Sequence, residues 1–258
     1  MSHVHNYGCS ILSMADKDLN GIVIINLMRR TDRLRAVMGD LLRSDLRDVE
    51  TSRLPAHDGR ANDWSHMLTS TAKRELKRLA DTHLRDHHAQ LTPGAVGCYL
   101  SHVDAYRWIV DQGRANKDMD APYLILEDDV GIPSVSRAAL RLGWNLARKR
   151  AGSDPLMLLL YTNCIGKCPI DDRGLIEPEA FWGLQCCVMS PRDAQALLRT
   201  ELFPMDVQLD TKLKYLRNEG RLRIFVFNAF QNSKTISDTD IQSHTVPLAP
   251  LDRPATSA

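Results

Sequence analysis

The chain has little that would carry it to a membrane or a polyanion. Its first twenty residues contain no charged segment followed by an apolar stretch, and later apolar runs such as Ile22 to Leu27 are too short to span lipid. Neither a secretory leader nor a transmembrane segment is therefore expected, which points to a cytoplasmic protein of bacterial or viral origin. A formal net charge of +1 and a pI near 7.7 give no global attraction for nucleic acid or a lipid surface, so charge recognition has to be local. The most basic stretch, residues 73 to 88 (KRELKRLADTHLRDHH), is diluted by Glu75, Asp81 and Asp86 and has no aromatic residue on which a base could stack. It reads as a solvated helix face, and no nucleic-acid partner is expected. Neither GxGxxG nor GxxxxGK occurs, which removes support for dinucleotide and P-loop binding, and there is no internal repeat or heptad pattern. The six cysteines, at 9, 98, 164, 168, 186 and 187, lack the paired short spacings of a structural zinc site; three lie inside apolar stretches, as expected in a reducing compartment.

What is present is alternation. With 258 residues, 43% hydrophobic and 25% charged, the chain can fill one sizeable core. A single domain is expected over residues 21–244, after an N-terminal extension (1–20) and before a disordered, proline-containing tail (245–258). Gly21 to Leu27 is a continuous apolar, β-branched run, as in a strand buried on both faces, and Thr31 to Arg43 places Leu34, Val37, Met38, Leu41 and Leu42 at helical spacing. A short extended piece over Thr51 to Ala56 ends at the turn signal Asp58-Gly59, and residues 65 to 88 read as a polar helix. From Pro93 apolar residues recur at threes and fours through Val110. Strands follow at Tyr123 to Leu126, Leu156 to Tyr161, Gly183 to Met189 and Leu222 to Phe227, with helices at Ala138 to Arg150, from Pro191 to about Thr200, and at Asp206 to Arg217. The pattern predicts an α/β fold with a largely parallel sheet, in which ligands bind beyond the carboxyl ends of the strands.

Four segments could carry chemistry. ILEDDV sets Glu127, Asp128 and Asp129 at the carboxyl end of a buried strand, where their mutual repulsion is offset either by a shared cation or by full solvation. A hard divalent ion held there keeps positions open for diphosphate oxygens, whereas an acidic turn that merely ends the strand accounts for the residues equally well. INLMRRTDR places Arg29, Arg30 and Arg33 near a helix start, suited to phosphate oxygens; for any single arginine, an ordinary surface pairing with Asp32 or Asp40 is the simpler account. In TPGAVGCYLSH, Gly94 and Gly97 permit close backbone approach, and Ser101 and His102 point about 100° apart on a helix, so they are no nucleophilic couple. A buried helical histidine such as His102 more usually serves packing than ligand contact. Asp206, in FPMDVQLD, is either a helix cap or the general base for an acceptor hydroxyl.

These segments, in this order, resemble glycosyltransferase family 25, which includes lipopolysaccharide-core and collagen hydroxylysine galactosyltransferases. The resemblance runs through IVIINLMRRTDRL (22–34), RLPAHDG (53–59), GAVGCYLSHVDAYRWIV (94–110) and YLILEDDV (123–130), with weaker echoes in WGLQCCVMSPRDAQALL (182–198), FPMDVQL (203–209) and SDTDIQ (237–242). It implies a GT-A-type, Rossmann-like fold with a mostly parallel sheet flanked by helices. It implies an enzyme that moves a sugar, with a leaning to galactose, from a UDP-sugar donor to a hydroxyl of a glycan, lipopolysaccharide or protein, by inversion. The cofactor implied is a divalent cation, Mn2+ or Mg2+. Carried over residue by residue, Glu127 and Asp129 become the metal ligands, Asp128 a supporting donor-side residue, and Asn26, Arg30, Arg33 and His102 donor contacts, while Asp206 becomes the catalytic base. Met28, Ala95-Val96, Cys186-Cys187 and Thr239 depart from the family pattern, and the lost carboxylate near Gly94 bears on which sugar is taken. The alternative function is a catalytically inactive sugar- or nucleotide-binding module of the same fold; nothing in the sequence speaks to oligomeric state.

Overall fold

A computed structural model describes residues 18–132, 136–165 and 168–227. The expected extension up to residue 17, the SDTDIQ segment and the tail lie outside the described residues. In chain order the elements are β1 (Gly21–Asn26), α1 (Thr31–Arg43), β2 (Thr51–Pro55), α2 (Ser70–Thr82), α3 (Pro93–Ala115), β3 (Tyr123–Glu127), α4 (Arg137–Ala151), β4 (Leu156–Ile165), β5 (Leu175–Ile176), β6 (Ala180–Met189), α5 (Pro191–Leu198), α6 (Leu209–Asn218) and β7 (Arg223–Phe227).

The strands form one seven-stranded sheet in the order β2-β1-β3-β6-β4-β7-β5. β1 pairs in parallel with β2 and β3, and β4 with β7; β6 runs against both β3 and β4, and β5 against β7. The α/β class is as expected, and five strands share one direction. The sheet is nevertheless mixed, because β6 is inserted between β3 and β4 with opposite polarity.

Side-chain alternation divides the core into two layers. Val23 and Ile25 of β1, Ile125 of β3 and Cys187 of β6 face α3, α5 and α6. Ile22 and Ile24, Leu124 and Leu126, and Cys186 face α1 and α4. Strands buried on both faces are therefore continuous apolar runs, and adjacent Cys186 and Cys187 go to opposite layers as small core residues.

Helix boundaries follow local capping. Thr92 caps α3, accepting from the Ala95 N–H at 3.0 Å with Pro93 in the first turn, and Ser190 and Asp193 form a capping box on α5. The expected long helix over 65–88 is instead a single 3-10 turn (Ser65–Met67) and α2, which starts after the Thr69 cap and stops at left-handed His83. Residues 83–92 are a loop. The last helix begins at Leu209 rather than Asp206, because 205–208 are taken up in pairing other loops: Met205 N–H donates to Met67 O at 2.8 Å and Gln208 N–H to Ala89 O at 3.0 Å.

Close backbone approach explains two glycines. A Cβ on Gly59 would lie 1.7 Å from Pro93 O, and one on Gly97 would lie 2.5 Å from His57 O. The loop after β2 is thereby seated directly on the first turns of α3, and Ser101 Oγ, accepting from the His57 N–H at 2.8 Å, fixes it there. Gly59→Ala is expected to lower stability by about 3 kcal/mol through this overlap, measured by urea unfolding; a substitution that costs nothing would refute the seating.

Candidate active site

Parallel register builds the centre of the site. β1 and β3 pair Ile25 with Glu127, so one step further along Asn26 meets Asp128 at the carboxyl ends of both strands. Asn26 Nδ2 donates to Asp128 Oδ2 and also to Arg30 O at 2.9 Å. Arg33, in the first turn of α1, donates from NH1 to Asp128 Oδ1 at 3.1 Å, and the pair is buried. Asp128 is thus held by a neutral amide and a guanidinium on the α1 side of the sheet. Burial still pushes its carboxyl above the ordinary range, with Asn26 and Arg33 pulling the other way.

Alternation turns Glu127 to the opposite, α3 side. Cys98 and His102, four apart on one face of α3, meet it there: His102 Nε2 lies 2.8 Å from Glu127 Oε1, and Cys98 Sγ donates towards the same oxygen at 3.7 Å. His102 is fully buried. Asp129 is buried too, and its Oδ1 has no hydrogen-bond partner. Burial first, then the negative charge of Glu127, raises the Asp129 carboxyl to about 7.

Two cavities meet at these groups. The first, about 570 Å³, is lined by Arg29, Arg33 and Arg60, by the His57-Asp58-Gly59 turn, by His102 and by all three acidic residues. The second, about 960 Å³, lies on the α6 side and is lined by Arg85, His88, Trp182, Gln185 and Asp210. Cys98, Glu127 and Asp129 belong to both.

The residues proposed from sequence fall into two groups. Asn26, Arg33, His102, Glu127, Asp128 and Asp129 converge around the first cavity. Arg30 and Asp206 line neither cavity. Arg30 pairs with Asp32 at 3.0 Å, and Asp206 pairs with Lys212 at 3.3 Å, with 40% of its side chain exposed. Nor does Asp206 cap the last helix, whose N-cap is Gln208. The carboxylate that does face the second cavity is Asp210, four residues on. It accepts from the Thr211 N–H at 2.6 Å and from the Gly183 N–H at 3.4 Å, and burial raises it above the usual carboxylate range. Its sequence signal was the last aspartate of FPMDVQLD; a first-turn acidic residue looks the same whether it serves a helix or a site.

The donor set suits a divalent cation. Cys98, His102 and Glu127 bring ligand atoms within 4.8 Å of one another, and Asp129, outside that group, lines the same cavities with a buried, unpartnered carboxylate oxygen. The carboxylates are the hard donors that Mn2+ or Mg2+ takes. The Cys98 thiol is pushed well up by burial and by Glu127, so without a cation it stays a protonated donor to Glu127.

Part of this site lies in a stretch that resembles known proteins. Residues 20–142 match the family model described as glycosyltransferase family 25 (LPS biosynthesis protein). Over that stretch the chain is similar to glycosyltransferase family 25. It is 27% identical over 212 residues to procollagen galactosyltransferase 1 of Danio rerio, covering 77% of this chain and 31% of that protein. It is 34% identical over 137 residues to a glycosyltransferase 25 family member of Drosophila melanogaster, covering 53% of this chain and 20% of the relative. The chain thus spans a third or less of these relatives' length. The first cavity lies wholly within the matched stretch, and the second reaches beyond it through Trp182, Gln185 and residues 208–211.

Asp129 gives the site a pH signature. Its folded-state value near 7 lies above the ordinary value of about 3.9, so between these two the folded chain binds a proton that the unfolded chain does not. Stability of the metal-free protein is therefore expected to fall as pH rises through that window, by up to about 1.4 kcal/mol per pH unit, and to level off above it. Urea unfolding in chelator at about pH 5 and about pH 7.5 checks this. Asp129→Asn is expected to reduce the slope, leaving the smaller share of Asp128 and Asp210, and an unchanged slope would count against the assignment.

Proposed function

We propose that this chain is a metal-dependent glycosyltransferase of family 25 that moves a sugar, galactose in the simplest reading, from a UDP-sugar donor to a hydroxyl of a glycan, lipopolysaccharide or protein acceptor, with inversion. The observation that carries the proposal is the convergence of Glu127 and the unpartnered Asp129 where an arginine-lined cavity meets a carboxylate-lined one.

Glu127 and Asp129 are the residues that would hold the cation, with His102 and Cys98 orienting Glu127 from behind. When bound, a divalent ion supplies neutralising charge for the diphosphate of the leaving nucleotide. Arg29, Arg33 and Arg60 bring three guanidinium groups to the wall of the first cavity, which suit phosphate oxygens once a cation offsets the carboxylates beside them. Asn26 and Arg33 keep Asp128 turned aside, so the local repulsion among the three carboxylates is shared between two faces of the sheet.

In the second cavity Asp210 is the base. A raised carboxylate, held by two backbone amides, accepts the proton as the acceptor oxygen bonds to the anomeric carbon and the bond from that carbon to the phosphate oxygen breaks. Asp206, tied to Lys212 outside the cavity, is not needed for that step.

Three variants separate these roles, read by UDP release from UDP-galactose in Mn2+ and by calorimetric titration with UDP. Asp129→Ala is expected to lose nearly all turnover with the fold intact. Asp210→Asn is expected to lower turnover by at least about a hundredfold, the scale of general-base catalysis, and to leave UDP affinity unchanged. Asp206→Asn is expected to stay within a few-fold of the parent. Full activity in Asp129→Ala would refute the metal assignment, whereas a parent protein without turnover whose UDP binding is absent or independent of Mn2+ would favour the inactive binding module.

A further inference from the structure

The second cavity carries more recognition chemistry than proton transfer uses. Trp182, near the start of β6, is 40% exposed, yet its ring is not free to wander: it stacks on His88 at 4.5 Å between centroids and 31° between planes. The loop that presents His88 is itself pinned. Gln208 Nε2 donates to His88 O and Gln90 O at 2.9 Å each, and Arg85 NH2 donates to His88 O at 2.6 Å. A large apolar ring in the cavity wall is thus backed by a histidine that a hydrogen-bonded loop holds in place.

Beside that ring stand two unsatisfied groups. Arg85 Nε, a donor, and Gln185 Oε1, an acceptor, are buried in the wall of this cavity without a hydrogen-bond partner. Leaving such atoms unpaired costs free energy comparable to a lost hydrogen bond, so their place in a ligand-sized cavity points to a ligand that supplies both a donor and an acceptor. A hydroxyl does both. Phosphate is the poorer match here, since Arg85 is the one guanidinium among the lining residues while Asp210 joins Glu127 and Asp129. A neutral polyhydroxyl ring with one face of C–H groups fits all of these walls: its C–H face lies on the negative π-face of Trp182, and its hydroxyls reach Arg85, Gln185 and Asp210.

We infer that the second cavity is a pyranose subsite, with Trp182 as the platform beneath the ring and Arg85 and Gln185 as its hydroxyl partners. The inference rests on the glycosyltransferase reading for its orientation towards the first cavity. The ring belongs either to the donor's sugar or to the acceptor's terminal sugar, and the chemistry of recognition is the same for both.

The full chain with Trp182→Ala, and Trp182→Phe as the conservative rescue, tests it. UDP and UDP-galactose are titrated by calorimetry in Mn2+, and saturation transfer to methyl β-galactoside is recorded by NMR with UDP present. The expected result is an unchanged UDP affinity and a sugar-specific loss of about tenfold in Trp182→Ala, largely recovered in Trp182→Phe. Loss of the preference for UDP-galactose over UDP assigns the ring to the donor. Loss of saturation transfer with that preference intact assigns it to the acceptor. An unchanged preference together with unchanged saturation transfer overturns the subsite, as does an equal fall in UDP and UDP-galactose affinity, which would make Trp182 a nucleobase contact. Should UDP fail to bind the parent protein, the donor reading falls, and the galactoside signal alone then decides: a signal abolished by Trp182→Ala supports the subsite and no signal overturns it. If Trp182→Ala unfolds by circular dichroism, the same comparisons are read on Gln185→Leu.

Discussion

Three carboxylates in succession at the end of a buried strand repel one another, and the site around them is organised by how that repulsion is divided. Strand alternation sends Asp128 to one face of the sheet and Glu127 to the other. On the first face Asn26 and Arg33 meet Asp128; on the second, His102 and Cys98 meet Glu127. Asp129 is left without a partner for its buried oxygen and is the group most strongly displaced from ordinary carboxylate behaviour. Removing Arg33 from this arrangement would strand a buried charge, a larger loss than the net worth of the pair itself. The ion pair therefore acts less as glue than as a constraint on where the other two carboxylates point.

That constraint connects distant parts of the chain. The β1–β3 register places Asn26 and Asp128 side by side although they are 102 residues apart. The seating of Gly59 on α3 closes the wall of the first cavity and, through the same helix, positions Cys98 and His102 against Glu127. β6, running against its neighbours, then carries Trp182 and Gln185 to the far side of the acidic residues, where α6 brings Asp210. One cavity sets three guanidinium groups among its carboxylates, the other a single arginine and an aromatic ring, with Glu127 and Asp129 at the seam. A donor that is anionic at one end and a neutral sugar at the other matches that polarity.

Legibility in the sequence was uneven for physical reasons. Thr31–Arg43 matches α1 to the residue, because an amphipathic stripe bounded by polar residues has only one helical solution. The acidic motif was legible because charges at the end of an apolar run are costly and conspicuous. Residues 65 to 88 were not: their polar periodicity suited one long helix, but pairing of Leu68 with Met205 and the left-handed turn at His83 divided it, and the resulting loop delivers Arg85 and His88 to the second cavity. Asp206 and Asp210 carried the same local signal four residues apart. Only the pairing of residues 205–208 with loops at Met67 and Ala89 decides that the first faces Lys212 and the second faces the cavity.

The sequence by itself determined the α/β class, the buried strands, most helix limits and the position of the acidic cluster, since each depends on the period of apolar residues or on short contiguous motifs. The tertiary structure decided the polarity of β6, the separate partners of Glu127, Asp128 and Asp129, and the assembly of a second cavity from Arg85, Trp182, Gln185 and Asp210. These follow from which strands pair and which loops are pinned, long-range choices among chain segments far apart in sequence that no local periodicity encodes.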